Sequence, residues 1–164
     1  MVALRYAYLL ALVFWLGGML ALGGVAAPAI FAALTGAHGM AGREMAGLAF
    51  GAVLRRFCFG ASIASAVMIL SLVATAIIGP RPVRFARRLA LIVIMAALTV
   101  YSGFVIGPRV DAMRRAIGAP VASLADTDPR RVEFARLHRL SSALLGAAVV
   151  GGLALLVWEA RAND

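Results

Sequence analysis

Residues 15–31 read WLGGMLALGGVAAPAIF, four glycines and a proline inside an otherwise apolar run. In a helix surrounded by water each such residue is unfavourable, by about 1 kcal/mol for Gly and about 3 kcal/mol for Pro relative to Ala. In hydrocarbon the balance changes. An unpaired backbone group there costs more than poor propensity, so the run stays helical. Lipid tails are as apolar as leucine, so helices associate through stripes of small residues that let their backbones approach. Gly17, Ala21, Gly24 and Pro28 fall at helical spacing on one face. They are expected to form such a packing seam, with a kink where Pro28 deprives the Gly24 carbonyl of its donor.

The rest of the chain fits this reading. Of its 164 residues 63% are hydrophobic and 14% charged, and the mean hydropathy is +0.97. Soluble domains are about half apolar and about a quarter charged. The excess collects in runs near 6–27, 57–78, 89–107 and 140–158. Each is long enough to cross a hydrocarbon core of about 30 Å. The expected fold class is all-α: a single-domain integral membrane four-helix bundle, with one polar loop over 109–139. Residues 35–42, TGAHGMAG, predict a turn. Asp128 followed by Pro129 predicts a helix start. Residues 1–27 have the outline of a signal peptide. Their apolar core is too long for one, so a retained first span is expected.

The 16 basic residues are all arginine, against 7 acidic ones, for a net charge of +9. They lie between or beside the apolar runs, without the aromatic platform of a single-strand nucleic-acid binder. The expected partners are therefore membrane lipids, with a second copy or another membrane protein, and no nucleic acid. Arg81, Arg84, Arg87 and Arg88 occupy one short connection. They place both termini on the cytoplasmic side of what is expected to be a bacterial inner membrane. Arg114, Arg115, Arg130, Arg131 and Arg136 weigh on the other side, partly offset by Asp111, Asp126, Asp128 and Glu133. One cysteine, Cys58, allows neither an internal disulfide nor a paired-cysteine metal knuckle.

The inner parts of the expected spans carry no Asp, Glu, Lys, Arg or His, which argues against proton pumps and ion-coupled transporters. Their hydroxyls are expected to bond helix carbonyls. Chemistry is expected at one membrane face. There His138 lies on the stripe Phe134–His138–Ser142–Gly146, and Arg109, Arg139, Arg55 and Arg56 fall at the same level. Guanidinium forks beside an imidazole suit an anion or lipid headgroup. The plainer alternative has His138 bonding a neighbouring helix end while the arginines hold lipid phosphates. A metal alternative enlists His38, His138, Met40 and Cys58 for copper or haem. No catalytic constellation is present, so neither an enzyme nor a cofactor is expected. The reading is an interaction or lipid-associated component. A copper- or haem-handling protein using His138 and a small oligomeric transporter stand as alternatives.

Several motifs recur together: W-x-G-G with A-P-A-I-F downstream (Trp15, Gly17, Gly18, Pro28, Phe31), A-G-x-x-x-G (Ala46, Gly47, Gly51), G-P-R (Gly107, Pro108, Arg109) and F-x-x-L-H-x-x-S (Phe134, Leu137, His138, Ser141). In this order they resemble the transmembrane protein 205-like family. The resemblance implies a four-helix membrane domain and brings no mechanism. In span count and Gly-rich first helix the chain also loosely resembles copper-resistance D and haem-pathway membrane proteins, but it lacks their further intramembrane histidines.

Overall fold

The computed structural model describes residues 2–79 and 82–161. Arg81, one of the expected topology arginines, lies outside them. Among the described residues every regular element is helical: α1 (Val2–Ala21), α2 (Ala27–Ile78), α3 (Phe85–Val100), α4 (Gly107–Ile117) and α5 (Pro129–Arg161). A single short 3₁₀ turn, Val121–Ser123, lies in the connection between α4 and α5. Two wider π-helical turns, Leu22–Ala26 and Tyr101–Ile106, join α1 to α2 and α3 to α4.

Among the described residues three helical segments are long and apolar enough to cross a membrane, Val2–Ile78, Phe85–Ile117 and Pro129–Arg161, where four were expected. The first and second expected spans share one segment. That segment is not straight. Gly39 sits at φ 58°, ψ −131°, a conformation that an L side chain rarely adopts. Beyond it the chain runs back along itself. The rings of Phe14 and Phe57 lie 5.8 Å apart between centroids, whereas a straight helix would separate them by about 65 Å. The backbones meet closely at the reversal as well, since a side chain on Gly42 would strike the Leu34 carbonyl. The expected turn over 35–42 is thus compressed into one glycine, and helical hydrogen bonding continues on either side.

Packing between the limbs corrects the expected seam. Gly17, Ala21, Gly24 and Pro28 are exposed, and a Cβ added to Gly17 or Gly24 would meet nothing within 4 Å. The neighbouring Gly18 makes the close approach, with the Phe57 ring where its side chain would be, and Gly60 receives Phe14. Periodicity identifies a small-residue stripe, but the bulk of Phe57 on the opposite limb decides which glycine turns inward. On α5 the inward positions are Ala148, Gly151 and Gly152, with Ala143 and Ala147 outside. Gly151 takes Met95, and Gly152 takes Leu16 and Trp15. Thr99 and Gly103 are buried, and Gly103 lies against Cys58. The core is closed by Trp15, Leu12, Met68, Ile92, Met95 and Leu155.

Pro28 and Pro108 act alike. A proline inside an α-helix lacks a donor and clashes with the carbonyl four residues back. Here a π turn precedes each one. The Ala27 N–H donates to the Leu22 carbonyl and the Gly107 N–H to the Ser102 carbonyl. Widening the turn absorbs the proline. Helix therefore continues through Pro28, and through Pro108 to Ile117. The third apolar helix does not end at Gly107, and most of the expected 109–139 loop is helix. Only the stretch around 118–128 connects α4 to α5.

α5 starts where expected. Asp128 Oδ1 accepts the Arg130 N–H at 2.8 Å, with Pro129 at the first helical position. Hydroxyls inside the apolar helices bond backbone carbonyls four residues back: Ser62 to Cys58, Ser65 to Ala61, Thr75 to Ser71 and Thr99 to Met95.

Candidate functional site: a cleft with a polar mouth

Both π turns face one space. At the end of the bundle carrying the Gly39 reversal and the α4–α5 connection, a cleft of about 470 Å³ opens between the two limbs, α4 and α5. That is the size of a small-molecule site. Its inner wall is apolar, with Met19, Leu22, Phe31, Leu54, Ile106 and Leu145 among the residues lining it. Glycines at 23, 51 and 146 leave it open, for a Cβ on any of them would meet nothing within 4 Å.

Polar groups gather at one side. Ser102 and Ser141 share a 2.6 Å hydrogen bond between the π turn and α5. His138 lines the cleft and stacks on Phe134, ring centroids 6.3 Å apart and planes 4° from parallel. It precedes the apolar stretch that begins at Leu140. The Arg114 guanidinium lies 5.1 Å from the centre of the Phe134 ring, a cation–π distance. Its Nε stands 3.5 Å from Glu44 Oε1. Gly47 makes this possible, since a Cβ there would lie 2.5 Å from Arg114 Nη2. Arg55 Nη1 pairs with Asp111 Oδ2 at 2.8 Å.

The expected residues divide. His138 and Arg55 line the cleft, as do Ser142 and Gly146 of the His138 stripe. Arg56, Arg109 and Arg139 are exposed and do not line it. Proximity in sequence places them at the right level, but helical phase turns them outward. His38 and Met40 are exposed beside the Gly39 reversal, whereas Cys58 is fully buried against Gly103. Among the described residues no group of three or more His, Cys, Asp or Glu side chains is placed to hold a metal.

Sequence reasoning missed Arg114, Glu44 and Asp111 as site residues. The available signal was Ala46-Gly47-x-x-x-Gly51, glycines on the polar end of an apolar helix, where a large side chain from elsewhere could be received. It also missed an ion pair at the opposite end. Arg88 Nη1 meets Glu159 Oε1 at 2.7 Å with both side chains about nine-tenths buried, and Arg88 Nη2 reaches the Trp158 carbonyl at 3.5 Å. Arg88 thus serves as an internal clasp.

The model of the family described as Domain of unknown function (DUF4149) matches residues 10–119, and the chain belongs to that family. The match takes in both limbs, α3 and α4, hence three walls of the cleft; α5 lies beyond it. No curated protein and no solved structure matches the chain.

Proposed function

We propose that this chain is a lipid-associated membrane protein that crosses the bilayer four times and holds an amphiphile in the cleft. The carrying observation is convergence. Phe31, Gly47, Gly51, Gly107, His138 and Ser141 come from four separate sequence motifs, and all line one cleft. Their order along the chain also underlies the resemblance to the transmembrane protein 205-like family.

The fold-back at Gly39 supports the four crossings, because each limb is long enough to span by itself. The apolar wall is drawn from the hydrophobic parts of the helices, and the mouth from their charged extensions. The cleft therefore runs from headgroup level into hydrocarbon, as an amphiphile does. Exposed Arg56, Arg109 and Arg139 suit anionic headgroups of the surrounding bilayer. The start of α1 and the end of α5 lie at the Arg88 end, where Arg84 and Arg87 favour the cytoplasmic side of an inner membrane. The role is binding; catalysis is not part of the proposal.

The test is to plug the cleft without disturbing the fold. In Gly51→Leu and Gly146→Leu the added side chain enters open space. Both variants should purify as monodisperse as the parent while retaining about tenfold less co-purified amphiphile by mass spectrometry. Unchanged amphiphile content in the plugged variants would overturn the reading. Stoichiometric copper or a haem absorption band lost in His138→Ala would replace it with metal handling.

A further inference from the structure

We infer that the amphiphile held in the cleft has an uncharged head, of the glycerol-ester or long-chain-alcohol class, and that phosphate-bearing heads are rejected. This rests on the cleft being a binding site, as proposed above. It runs against what an arginine count at that membrane face suggests.

Each guanidinium lining the cleft already faces a carboxylate. Arg55 is paired with Asp111 at 2.8 Å, and Arg114 stands 3.5 Å from Glu44. Formal charge at the mouth therefore cancels. The Arg114–Glu44 contact is the deeper one, with side-chain exposures of 15% and 25%. The guanidinium is also sandwiched between Gly47 and the Phe134 ring, so it cannot swing toward a ligand without losing both contacts. An incoming phosphate would have to displace a carboxylate from its arginine or share the guanidinium with it, which sets two anions side by side. Partly buried, either arrangement is unfavourable.

What the mouth offers without breaking a pair is neutral. His138 presents an imidazole with one donor and one acceptor, and Ser142 adds a hydroxyl. Ser102 and Ser141 bond each other and still have acceptor capacity. A hydroxyl or ester carbonyl complements this set, and the apolar wall takes the chain. The exposed arginines outside the cleft can draw anionic lipid to the protein's surface without admitting it.

Two probes that differ by a phosphoglycerol group test the inference: a monoacylglycerol and a lysophosphatidylglycerol, each with the same photoreactive acyl chain. The full chain is reconstituted in phosphatidylcholine nanodiscs, and cross-links to peptides containing Phe31, Leu54 or Leu145 are quantified. The monoacylglycerol should label these peptides, the lysophosphatidylglycerol about tenfold less, since like charges set together cost affinity. In Asp111→Asn/Glu44→Gln both arginines lose their carboxylates, and labelling by the phosphate probe should rise toward that of the neutral one. Equal labelling by both probes in the parent protein, or no rise in the double variant, would overturn the inference and leave cleft binding intact. If neither probe labels the cleft above the level of the Gly51→Leu control, both the inference and cleft binding are overturned.

Discussion

At the scale of single residues, neighbouring glycines do opposite things. Gly17 and Gly18 adjoin in the chain, yet one has empty space beside it and the other holds the Phe57 ring. Gly17→Ala should leave detergent-phase thermal stability unchanged. Gly18→Ala should lower it by about 1–3 kcal/mol, the usual cost of overpacking a filled interface, read as a shift in the thermal midpoint. The contrast also shows what was legible beforehand. That residues 15–31 form a membrane-type helix with a small-residue face follows from composition and spacing. Which glycine turns inward depends on Phe57, a residue about forty positions away whose reach no local periodicity encodes. His138 was legible because one imidazole at the polar end of an apolar helix stands out. Arg114 was not, because it is one of many arginines and only Gly47 makes a place for it.

At the scale of elements, the prolines and caps determine where helices continue and where they begin. Pro108 looks like a stop signal, and the expected third span ended there. The preceding π turn carries the helix through it, which is how Val110, Asp111 and Arg114 reach the cleft wall. Sequence rules place a boundary at proline because the α-helical hydrogen bond fails there, and they do not register that a wider turn restores one. The start of α5, by contrast, was readable from Asp128-Pro129 and also responds to pH. The hydrogen bonds that Asp128 accepts from Arg130, side chain first and then backbone, lower its pKa below the ordinary carboxylate value. Its contribution is therefore present above the unfolded pKa and is lost as pH falls through the folded one. Amide protection in the first turn of α5, taken relative to the intrinsic exchange rate at each pH, should fall under acid. Asp128→Ala should show the reduced protection already at neutral pH, with no further acid response from this site.

At the scale of the whole molecule, two polar assemblies hold opposite ends of an apolar bundle. One is the cleft mouth, and the other is the Arg88–Glu159 pair joining the start of α3 to the end of α5. Glu159→Ala leaves the Arg88 guanidinium buried and uncompensated. The expected loss is about 3–5 kcal/mol, the cost of breaking a buried pair from one side, measured by denaturant titration in detergent. A double replacement, Arg88→Met with Glu159→Leu, should recover most of it. All-α architecture, with helices long and apolar enough to cross a membrane, was legible from the sequence. The clasp was not, since an arginine within a basic connection and a glutamate past Trp158 give no hint of each other.

The reversal at residue 39 has one more consequence. Helix lies on both sides of it, so the hairpin depends on one backbone conformation that glycine tolerates and other residues resist. Were that position to relax into the helical region, the first two limbs would straighten into a single rod. The faces that Phe14 and Phe57 now offer each other could then be met only by the matching limb of another polypeptide. Reciprocal exchange of arms, with every native contact kept and its ownership changed, is the dimer toward which this topology would open.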